Sequence, residues 1–428
     1  MINEKFDDYI SQGIALMAEE KYEAARDCFK KAIEIDNKSF EAHTHLGNAY
    51  ANLGDYDDAI ASFKNALIID ENSGETYYSI ANIYLLKGDN IKAVEFYNKA
   101  EDAGYTRADM YQLMSGLFLN AGDEVQALRY ITKAINSDPL DGNLRLFKAR
   151  IYLAYNRYDE ALESLDEMQR ILPDAFEVYD LRAQIYMALH ELDKALEIAE
   201  KGCERFPNDP NLTLSKLKVL IEMQDDTAAK ELIEDMKKNG QYDMILKDVV
   251  IQESILYLRQ FDAESTISLL SEANSKLGGD ADILYLMLDV FGKAEKYEDI
   301  VKTSEDLIKM DPGDFYESTA RYFHAHALDK LGKTEEAKAE YRKLTSSLRK
   351  LTINDPSFYE GYIYRLLSHT RIGEYDKALQ LADYIENLYP DRTDAHAFRY
   401  FIYKEMGDEQ KAQEEKLKAE QINPDIKL

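Results

Sequence analysis

The sequence predicts an all-α solenoid built from about twelve helix-turn-helix repeats. Three features indicate this fold: alanine returns every 34 residues, larger residues keep a helical spacing from each alanine, and turn residues separate the helical segments. The alanines of the regular interval are Ala25, Ala59, Ala93, Ala127, Ala161, Ala195 and Ala229. Because a second segment of helical spacing lies upstream of each alanine, each unit is predicted to be a helix pair.

The second helix of each pair carries the alanine and two further repeated positions. Four residues after the alanine stand Phe29, Phe63, Tyr97, Ile131, Leu165, Ala199 and Ile233. Three residues further on stand Ala32, Ala66, Ala100, Ala134, Met168, Gly202 and Met236. Spacings of four and three place these side chains on one face of a helix. Alanine on that face lets neighbouring helices approach, and the larger residues fill the space between pairs.

The first helix lies upstream of the alanine, and recognisable residues close both helices. Nine residues before the alanine stand Leu16, Tyr50, Tyr84, Phe118, Tyr152, Tyr186 and Leu220. Left-handed C-caps are predicted at Gly54, Gly88 and Gly122, with Asn156 and His190 as less favourable replacements, and N-caps at Asp55, Asp89 and Asp123. Pro139, Pro173 and Pro207 follow the second helices, which proline cannot continue. Glycine therefore closes one helix and proline ends the other.

This pattern resembles the tetratricopeptide repeat (TPR) family, whose signature is Leu-Gly-x-x-Tyr, then Ala-x-x-x-Phe, then proline. The matching residues are Leu46, Gly47, Tyr50, Gly54, Tyr56, Ala59, Phe63 and Ala66. The tryptophan of the family is replaced by Tyr9, His43, Tyr77, Tyr111 and Tyr179. The resemblance implies a right-handed superhelix whose first helices line an inner groove. It also implies that the groove receives an extended peptide or a partner helix.

Beyond Met244 the interval becomes irregular. The alanine position passes to Thr266, Ile300, Ala337, Ala378 and Ala412, while Pro312, Pro390 and Pro424 mark helix ends. We therefore predict seven regular repeats over 6–243, three irregular repeats over 244–357, and two repeats with a cap over 358–428. The segments Lys237–Lys247 and Thr345–Ser357 are predicted to be loops or extended helix ends. The last helix, Asp408–Asn423, is predicted to be a polar cap.

Composition excludes several classes of protein. The 81 acidic and 52 basic residues give a formal charge of −29, which would repel a phosphate backbone, so nucleic acid is not an expected partner. The chain shows no signal peptide and no membrane span, and we expect a soluble, cytoplasmic protein without membrane insertion. Its Lys, Ile, Asn, Asp and Tyr usage suggests a bacterial source. Cys28 and Cys203 are interpreted as small hydrophobic residues on separate helices.

Catalytic motifs were not found. The sequence has no GxxxxGK[ST], no GxGxxG after a strand, no HExxH and no GxSxG turn. The pairs His43/His45 and His324/His326 lie two residues apart, so on a helix they point to different faces and do not share a metal easily. We therefore expect no enzyme activity, cofactor, metal or small-molecule substrate.

An acidic residue stands near the start of most first helices. These residues are Asp7, Glu41, Glu75, Asp109, Glu177, Asp248, Asp282, Glu360 and Asp394. Each either complements the positive end of a helix dipole or contributes to an acidic surface that favours a basic partner. Both interpretations stay open at this point.

One or two turns further along the first helices, polar and apolar residues are predicted to face the groove. The candidate partner-binding residues are Asn48, Tyr78, Asn82, Leu85, Leu119, Leu146, Arg150, Leu153, Gln184, Met187, Leu214, Lys218 and Ile221. The amides at Asn48, Asn82 and Gln184 would hydrogen-bond a peptide backbone. The leucines and Met187 would either offer apolar pockets or pack against the next helix pair.

The function predicted from these features is that of a non-catalytic scaffold that binds a peptide segment or a partner protein. A subgroup of the family grips chaperone C-termini with lysine, arginine and asparagine. The matching positions here hold Ile10, Ile14, His45, Glu75 and Ser79, so that binding mode is not expected. The alternative function is a regulatory receptor for a small peptide in a bacterial cell, as in family members that use groove asparagines.

Overall fold

The computed structural model describes residues 2–355, 358–388, 393–424 and 426. This part of the chain contains 25 α-helices and no β-strand. Twenty-four of these helices form twelve successive pairs, and one helix of four residues lies between the seventh and the eighth pair. The predicted all-α class and the number of repeats are confirmed.

The helices fall into two compact units, Met1–Pro207 and Asn208–Leu428. The first unit contains α1 (Ile2–Ala18), α2 (Tyr22–Ile35), α3 (Phe40–Leu53), α4 (Tyr56–Ile69), α5 (Gly74–Leu86), α6 (Asn90–Asp102), α7 (Ala108–Asn120), α8 (Glu124–Ser137), α9 (Gly142–Ala154), α10 (Tyr158–Ile171), α11 (Glu177–Ala188) and α12 (Leu192–Arg205). The predicted grouping of the repeats into 6–243, 244–357 and 358–428 stays a prediction.

The second unit begins with the seventh pair and includes the short helix α15. It contains α13 (Pro210–Glu222), α14 (Asp226–Asn239), α15 (Gln241–Met244), α16 (Leu246–Arg259), α17 (Ala263–Leu277), α18 (Ala281–Lys293), α19 (Tyr297–Lys309), α20 (Asp314–Lys330), α21 (Thr334–Asn354), α22 (Tyr359–Arg371), α23 (Tyr375–Leu388), α24 (Asp394–Met406) and α25 (Glu409–Ile422).

The turn inside each pair has a left-handed residue, as predicted. Gly54 has φ +82° and closes α3, with its backbone N–H directed at the carbonyls of Tyr50 and Ala51. Asn156 and His190 adopt the same conformation, each with φ +58°, although neither is glycine. A left-handed residue with a Cβ costs roughly 1–2 kcal/mol. Packing of the flanking helices therefore imposes this backbone geometry even where the local sequence opposes it.

Two of the three predicted aspartate N-caps are confirmed. Asp89 accepts a hydrogen bond from the backbone N–H of Lys92 at 3.1 Å, and Asp123 accepts one from Gln126 at 3.0 Å. The prediction for Asp55 is wrong, because its side chain makes no such bond.

The repeated small and large positions form the core. All seven alanines of the regular interval are fully buried, and Phe29, Phe63, Tyr97, Ile131 and Leu165 are exposed by at most 1%. The displaced positions Thr266, Ile300, Ala337, Ala378 and Ala412 are buried to the same degree. The register that the sequence predicts beyond Met244 is therefore the register of the core.

The two irregular segments differ in structure. Lys237–Lys247 holds the short helix α15, in which Tyr242 is buried and its hydroxyl donates to the carboxylate of Glu253 at 2.5 Å. The described part of Thr345–Ser357 is an extended helix end, because α21 continues to Asn354 and reaches 21 residues. Residues 356 and 357 lie outside the described residues.

The ends of the second helices agree with the predicted stop signals. Pro139, Pro173, Pro207, Pro312 and Pro424 each follow the last residue of a second helix. Pro390 lies outside the described residues. The final helix α25 buries Ala412, Glu415 and Ala419 and exposes most of its other side chains, as expected of a polar cap.

Two glycines in the middle of first helices should respond oppositely to alanine. A Cβ at Gly47 would lie 2.7 Å from the buried ring of Phe63, whereas a Cβ at Gly116 would approach Phe147 at an ordinary 3.8 Å. We expect Gly47→Ala to destabilise the protein by about 1–3 kcal/mol through overpacking. We expect Gly116→Ala to stabilise it by about 0.5–1 kcal/mol, because alanine favours the helix. Urea unfolding of both variants tests this, and a stabilising Gly47→Ala would contradict it.

Two further expectations concern the membrane and the cysteines. None of the described helices combines the length and the apolar character that crossing a bilayer requires. Cys28 is buried and Cys203 is half-buried, and the two are not joined by a disulfide bond. Their placement on α2 and α12 agrees with the interpretation as small residues on separate helices.

Candidate functional site

The candidate groove residues all lie on first helices. Asn48 is on α3, Tyr78, Asn82 and Leu85 are on α5, Leu119 is on α7, Leu146, Arg150 and Leu153 are on α9, Gln184 and Met187 are on α11, and Leu214, Lys218 and Ile221 are on α13. The helices α3 to α11 belong to the first unit and α13 belongs to the second. The site is therefore described below on the first unit, where most of the candidates lie.

Burial divides the candidate residues into two groups. Leu146, Leu214 and Ile221 are buried, with 6%, 6% and 4% of their surface exposed, so they have almost no area to offer a partner. For these three residues burial supports packing against neighbouring helices. Met187 is half-buried. The other four apolar candidates are half-buried and pack with one side against the core: Tyr78, Leu85, Leu119 and Leu153. These four leave part of each side chain on the surface.

A polar network connects α5, α6 and α7. The hydroxyl of Tyr78 donates to the Asp109 carboxylate at 3.3 Å, and the hydroxyl of Tyr97 donates to the side-chain oxygen of Asn82 at 2.6 Å. The ring of Tyr78 lies 5.9 Å from that of Tyr97 and stacks on Tyr105 at 4.8 Å. The network therefore fixes Tyr78 and Asn82, two candidate residues on adjacent turns of α5.

Burial and charge both act on the Tyr78 hydroxyl. Burial raises the pKa of Tyr78, a hydrogen bond from Asn82 lowers it, and the negative charge of Asp109 raises it again, with a net upward shift. Tyr78 is therefore protonated at neutral pH and acts as a hydrogen-bond donor. This donor is directed at Asp109, so it orders the surface between α5 and α7.

The predicted backbone-binding amides are partly engaged within the protein. The Asn82 oxygen accepts from Tyr97, and the Gln184 amide donates to Asp180 at 2.9 Å. At Asn48 the backbone carbonyl accepts a hydrogen bond from the Asn52 side chain at 2.8 Å. All three amide side chains are half-buried, and internal hydrogen bonds orient those of Asn82 and Gln184 before any partner binds. Such preorganisation lowers the entropy cost of binding.

The acidic residues at the helix starts have structural contacts as well as exposed charge. All except Asp7 lie in the first turn of their helices, which supports the helix-dipole interpretation. Asp7 is the exception: α1 begins at Ile2, so Asp7 lies beyond the first turn of its helix. A tyrosine hydroxyl from the neighbouring first helix bonds to three of the others: Asp109, Asp282 and Asp394. These carboxylates therefore also join adjacent repeats.

A surface cavity of about 410 Å³ adjoins the network at α7. Its lining includes the carboxylates of Asp109, Asp138 and Asp141, the amide of Gln112, and the guanidinium of Arg107. Arg107 donates to Asp109 at 3.2 Å, and Asp141 caps α9 by accepting from the backbone of Asn143. Three carboxylates face one cation here, so the cavity is acidic and suits a positively charged group.

The four histidines of the two pairs contact nearby backbone, hydroxyl or aromatic groups. His43 lies 3.1 Å from the Asn37 carbonyl, and His45 stacks on Phe29 at 5.2 Å. His324 lies 3.1 Å from the Ser304 hydroxyl, and His326 belongs to a cluster of aromatic rings in the second unit. The described residues contain no group of three or more His, Cys, Asp or Glu that could hold a metal ion.

Sequence reasoning missed Tyr97 and Tyr105 as parts of the site. Tyr97 occupies the phenylalanine position of the third repeat and was assigned to the core alone. Its hydroxyl was the available signal, because a buried tyrosine needs a hydrogen-bond partner, and that partner is Asn82. Tyr105 lies in the turn before α7, where the repeat pattern has no fixed residue.

Family models for the repeat match much of the chain. A model described as TPR repeat matches residues 13–54, and models described as tetratricopeptide repeat match residues 40–73, 74–103, 118–185, 176–209 and 318–347. No curated protein matches the chain.

Among solved structures, the chain is similar to YrrB, described as a TPR protein with an unusual peptide-binding site, with 22% identity over 42% of this chain and 93% of YrrB and a TM-score of 0.37. It is similar to PilF of Pseudomonas aeruginosa, with 18% identity over 52% of this chain and 99% of PilF and a TM-score of 0.40. It is also similar to a chain of the APC/C hetero-tetramer Cut9–Hcn1, with 13% identity over 98% of this chain and 94% of that chain and a TM-score of 0.42. From its repeated helix pairs and the matching repeat models, the chain belongs to the tetratricopeptide repeat family.

Proposed function

We propose that this protein is a non-catalytic scaffold that binds an extended segment of a partner protein along the first helices of its first unit. The observation that supports it is the ordered surface of α5 and α7, where Tyr78 and Asn82 are held in place beside the acidic cavity at Asp109. Mixed polar and half-buried apolar side chains of this kind suit an extended peptide, because amides bond its backbone and apolar contacts accept its side chains. The cytoplasmic location stays a prediction.

The partner segment is proposed to be basic. The chain carries a formal charge of −29, and three carboxylates line the cavity at α7 against a single guanidinium. A lysine or arginine of the partner would replace Arg107 as the cation of Asp109 or add a second one. Charge attraction of this kind raises the association rate and weakens as salt is added.

Binding should depend on the cavity at α7 and not on exposed positions elsewhere in the same repeat. We expect a Gln112→Arg variant to bind basic peptides at least about tenfold more weakly, because it places a cation in the acidic cavity. The matched control is Thr132→Arg, which adds the same charge at an exposed position of the second helix α8, more than one turn before the cavity-lining Ser137. Fluorescence polarisation with a labelled panel of basic, neutral and acidic peptides measures the affinities at low and physiological salt.

Three results would count against the proposal. These are equal binding of acidic and basic peptides, no salt dependence, and equal losses in Gln112→Arg and Thr132→Arg. Circular dichroism of both variants shows whether either substitution has altered the fold. Because both positions tolerate a polar side chain in the unaltered protein, we expect both variants to keep the helical content.

A further inference from the structure

A second cavity, of about 650 Å³, lies in the second unit between α21, α22 and α23. Thr352 and Ile353 come from α21, Tyr362 and Arg365 from α22, and the remaining lining residues from α23: Lys377, Gln380, Leu381 and Tyr384. Two of these three helices are second helices of their pairs. None of its lining residues belongs to the first-helix surface of the first unit that is proposed above for the partner segment.

The lengthened helix α21 forms one wall of this cavity. Its last turns bring Thr352 and Ile353 alongside α22, where the hydroxyl of Tyr362 donates to the Thr352 carbonyl at 3.1 Å. The ring of Tyr362 lies 5.2 Å from that of Tyr384, which is 41% exposed. Ile353 is also exposed, so the mouth of the cavity has an aromatic and an aliphatic side.

Arg365 lines the cavity, and among the described residues no carboxylate balances the charge of its guanidinium. Its Nε is buried without a hydrogen-bond partner, and among the described residues no carboxylate forms an ion pair with it. Burial lowers the pKa of Arg365, and the positive charge of Arg349 lowers it further. A buried water would satisfy the Nε donor but would leave the charge unpaired. An unpaired, partly buried charge is unfavourable, and proteins seldom keep one without a ligand or counter-ion.

Other positively charged side chains lie near Arg365. Arg349 lies one helical turn before Ile353 on the same face of α21, and the segment 341–354 has four basic residues and no acidic one. Lys377 reaches the cavity from α23 while pairing with Glu374 at 2.9 Å. Two carboxylates in this region have contacts of their own: Glu374 also contacts His369, and Asp355 acts on Tyr362. In a chain with a large excess of acidic residues, this local excess of positive charge is exceptional.

We propose that this cavity binds an oxyanion, a carboxylate or a phosphate, carried on an aromatic or aliphatic group. Arg365 and Lys377 hold the anion, and Gln380 donates an amide hydrogen bond to it. Tyr362, Tyr384 and Ile353 contact the apolar part of the ligand. Arginine suits this role because its planar guanidinium bonds two oxygens of one anion at once.

The uncompensated charge predicts a distinctive response to mutation. In the absence of ligand, Arg365→Met should raise the Tm by a few degrees, since it removes a half-buried charge that has no partner while keeping the volume. Arg321→Met is the matched control, because Arg321 pairs with Glu317 at 2.7 Å on its own helix, and its Tm should stay the same or fall. A clear fall in the Tm of Arg365→Met would overturn the proposal, because it would show that the guanidinium has a structural partner.

Binding is measured by isothermal titration of the full chain with phenyl phosphate, benzoate and inorganic phosphate, and with phenol as the neutral control. We expect phenyl phosphate or benzoate to bind with a Kd below about 1 mM, and phenol not to bind. Inorganic phosphate should bind more weakly than phenyl phosphate because it has no apolar group. Arg365→Gln and Lys377→Gln should each weaken binding about tenfold or more, and Arg321→Gln should leave it unchanged.

Two peptides ending in phenylalanine, one with a free carboxylate and one amidated, identify the source of the anion. If the free peptide binds more tightly than benzoate, the natural ligand is a chain terminus. If benzoate binds more tightly, the natural ligand is a small metabolite. Both results support an oxyanion site. Absence of binding by all of these anions, or equal binding to Arg365→Gln and the unaltered protein, overturns it. This outcome is independent of peptide binding at α7, which the Gln112→Arg variant tests separately.

Discussion

The Phe63→Ala protein is expected to lose about 3–5 kcal/mol of stability in the helices around α4, because the substitution removes a buried aromatic ring. Phe63 is 1% exposed and belongs to a core cluster with Ala59 and Ile80. Its ring fills the space that Gly47 leaves open on α3, where even one added carbon would lie 2.7 Å away. Alanine would leave a cavity that these helices cannot close without moving.

Hydrogen exchange measured by mass spectrometry tests this prediction, because it reports stability peptide by peptide. Exchange should accelerate in α3, α4 and α5 and much less in α16 to α19, since each repeat contacts its nearest neighbours. The matched control is Phe261→Ala, where the ring is 96% exposed, and its stability should change by at most about 0.5 kcal/mol. Unchanged exchange in Phe63→Ala, or an equal effect in Phe261→Ala, would contradict the prediction.

The second large effect is expected at Arg399 in α24. This buried arginine donates to Asp383 at 2.7 Å and to Glu386, both on α23, and lies 3.7 Å from Glu415 on α25. Arg399→Met would keep the volume but leave three carboxylates without their shared cation. We expect a loss of about 3 kcal/mol, near the lower end for breaking a buried ion pair, because Asp383 and Glu386 are partly exposed.

The pH dependence separates loss of charge from loss of packing at Arg399. Burial raises the pKa of Glu415, but hydrogen bonds from Lys418 and His396 outweigh it, so the net shift is downward from 4.5. A lowered carboxylate pKa contributes stability above the ordinary pKa, and this contribution is lost as pH falls through the folded-state value. The charge of Arg399 also lowers this pKa, so the difference between Arg399→Met and the unaltered protein should shrink as the pH falls below 4.5 and through the folded-state pKa of Glu415.

Urea unfolding at neutral pH and below pH 4.5 measures this difference. Arg321→Met provides the control, because its half-buried pair with Glu317 lies within one helix, where such a pair contributes only about 0.3–0.5 kcal/mol. A pH-independent loss in Arg399→Met would mean that packing, and not charge, explains the effect. A loss of stability no larger than that of Arg321→Met would contradict the proposed role of Arg399 in joining the last three helices.

Much of the fold could be predicted because its signals are local and repeated. The alanine interval determines which face of each second helix is small enough for close approach, and those alanines are fully buried in the structure. The same reasoning located the shifted core positions from Thr266 to Ala412. It failed at Asp55, which precedes α4 without a side-chain cap although its residue type favours one. Helix formation and termination depend on neighbours within a few residues, which a sequence displays directly.

The candidate site was predicted less completely. The first-helix positions lie on α3 to α13 as predicted, but the sequence left open whether the leucines form pockets or pack against the next pair. Leu146, Leu214 and Ile221 are buried, which supports packing for these three. Exposure depends on the size and spacing of residues in the adjoining pairs. Tyr97 was missed for the same reason, since its partner Asn82 lies on the preceding helix.

The sequence by itself determined the helix pairs, their number, their turns and the residues that form the core, because a fixed interval of small and large side chains leaves one way to bury them. Only the tertiary structure decided which charges are compensated. Arg399 meets carboxylates from two other helices, while Arg365 meets none among the described residues and faces Arg349 instead. These charges are far apart along the chain, and their free energy depends on distances and burial that arise when the repeats stack.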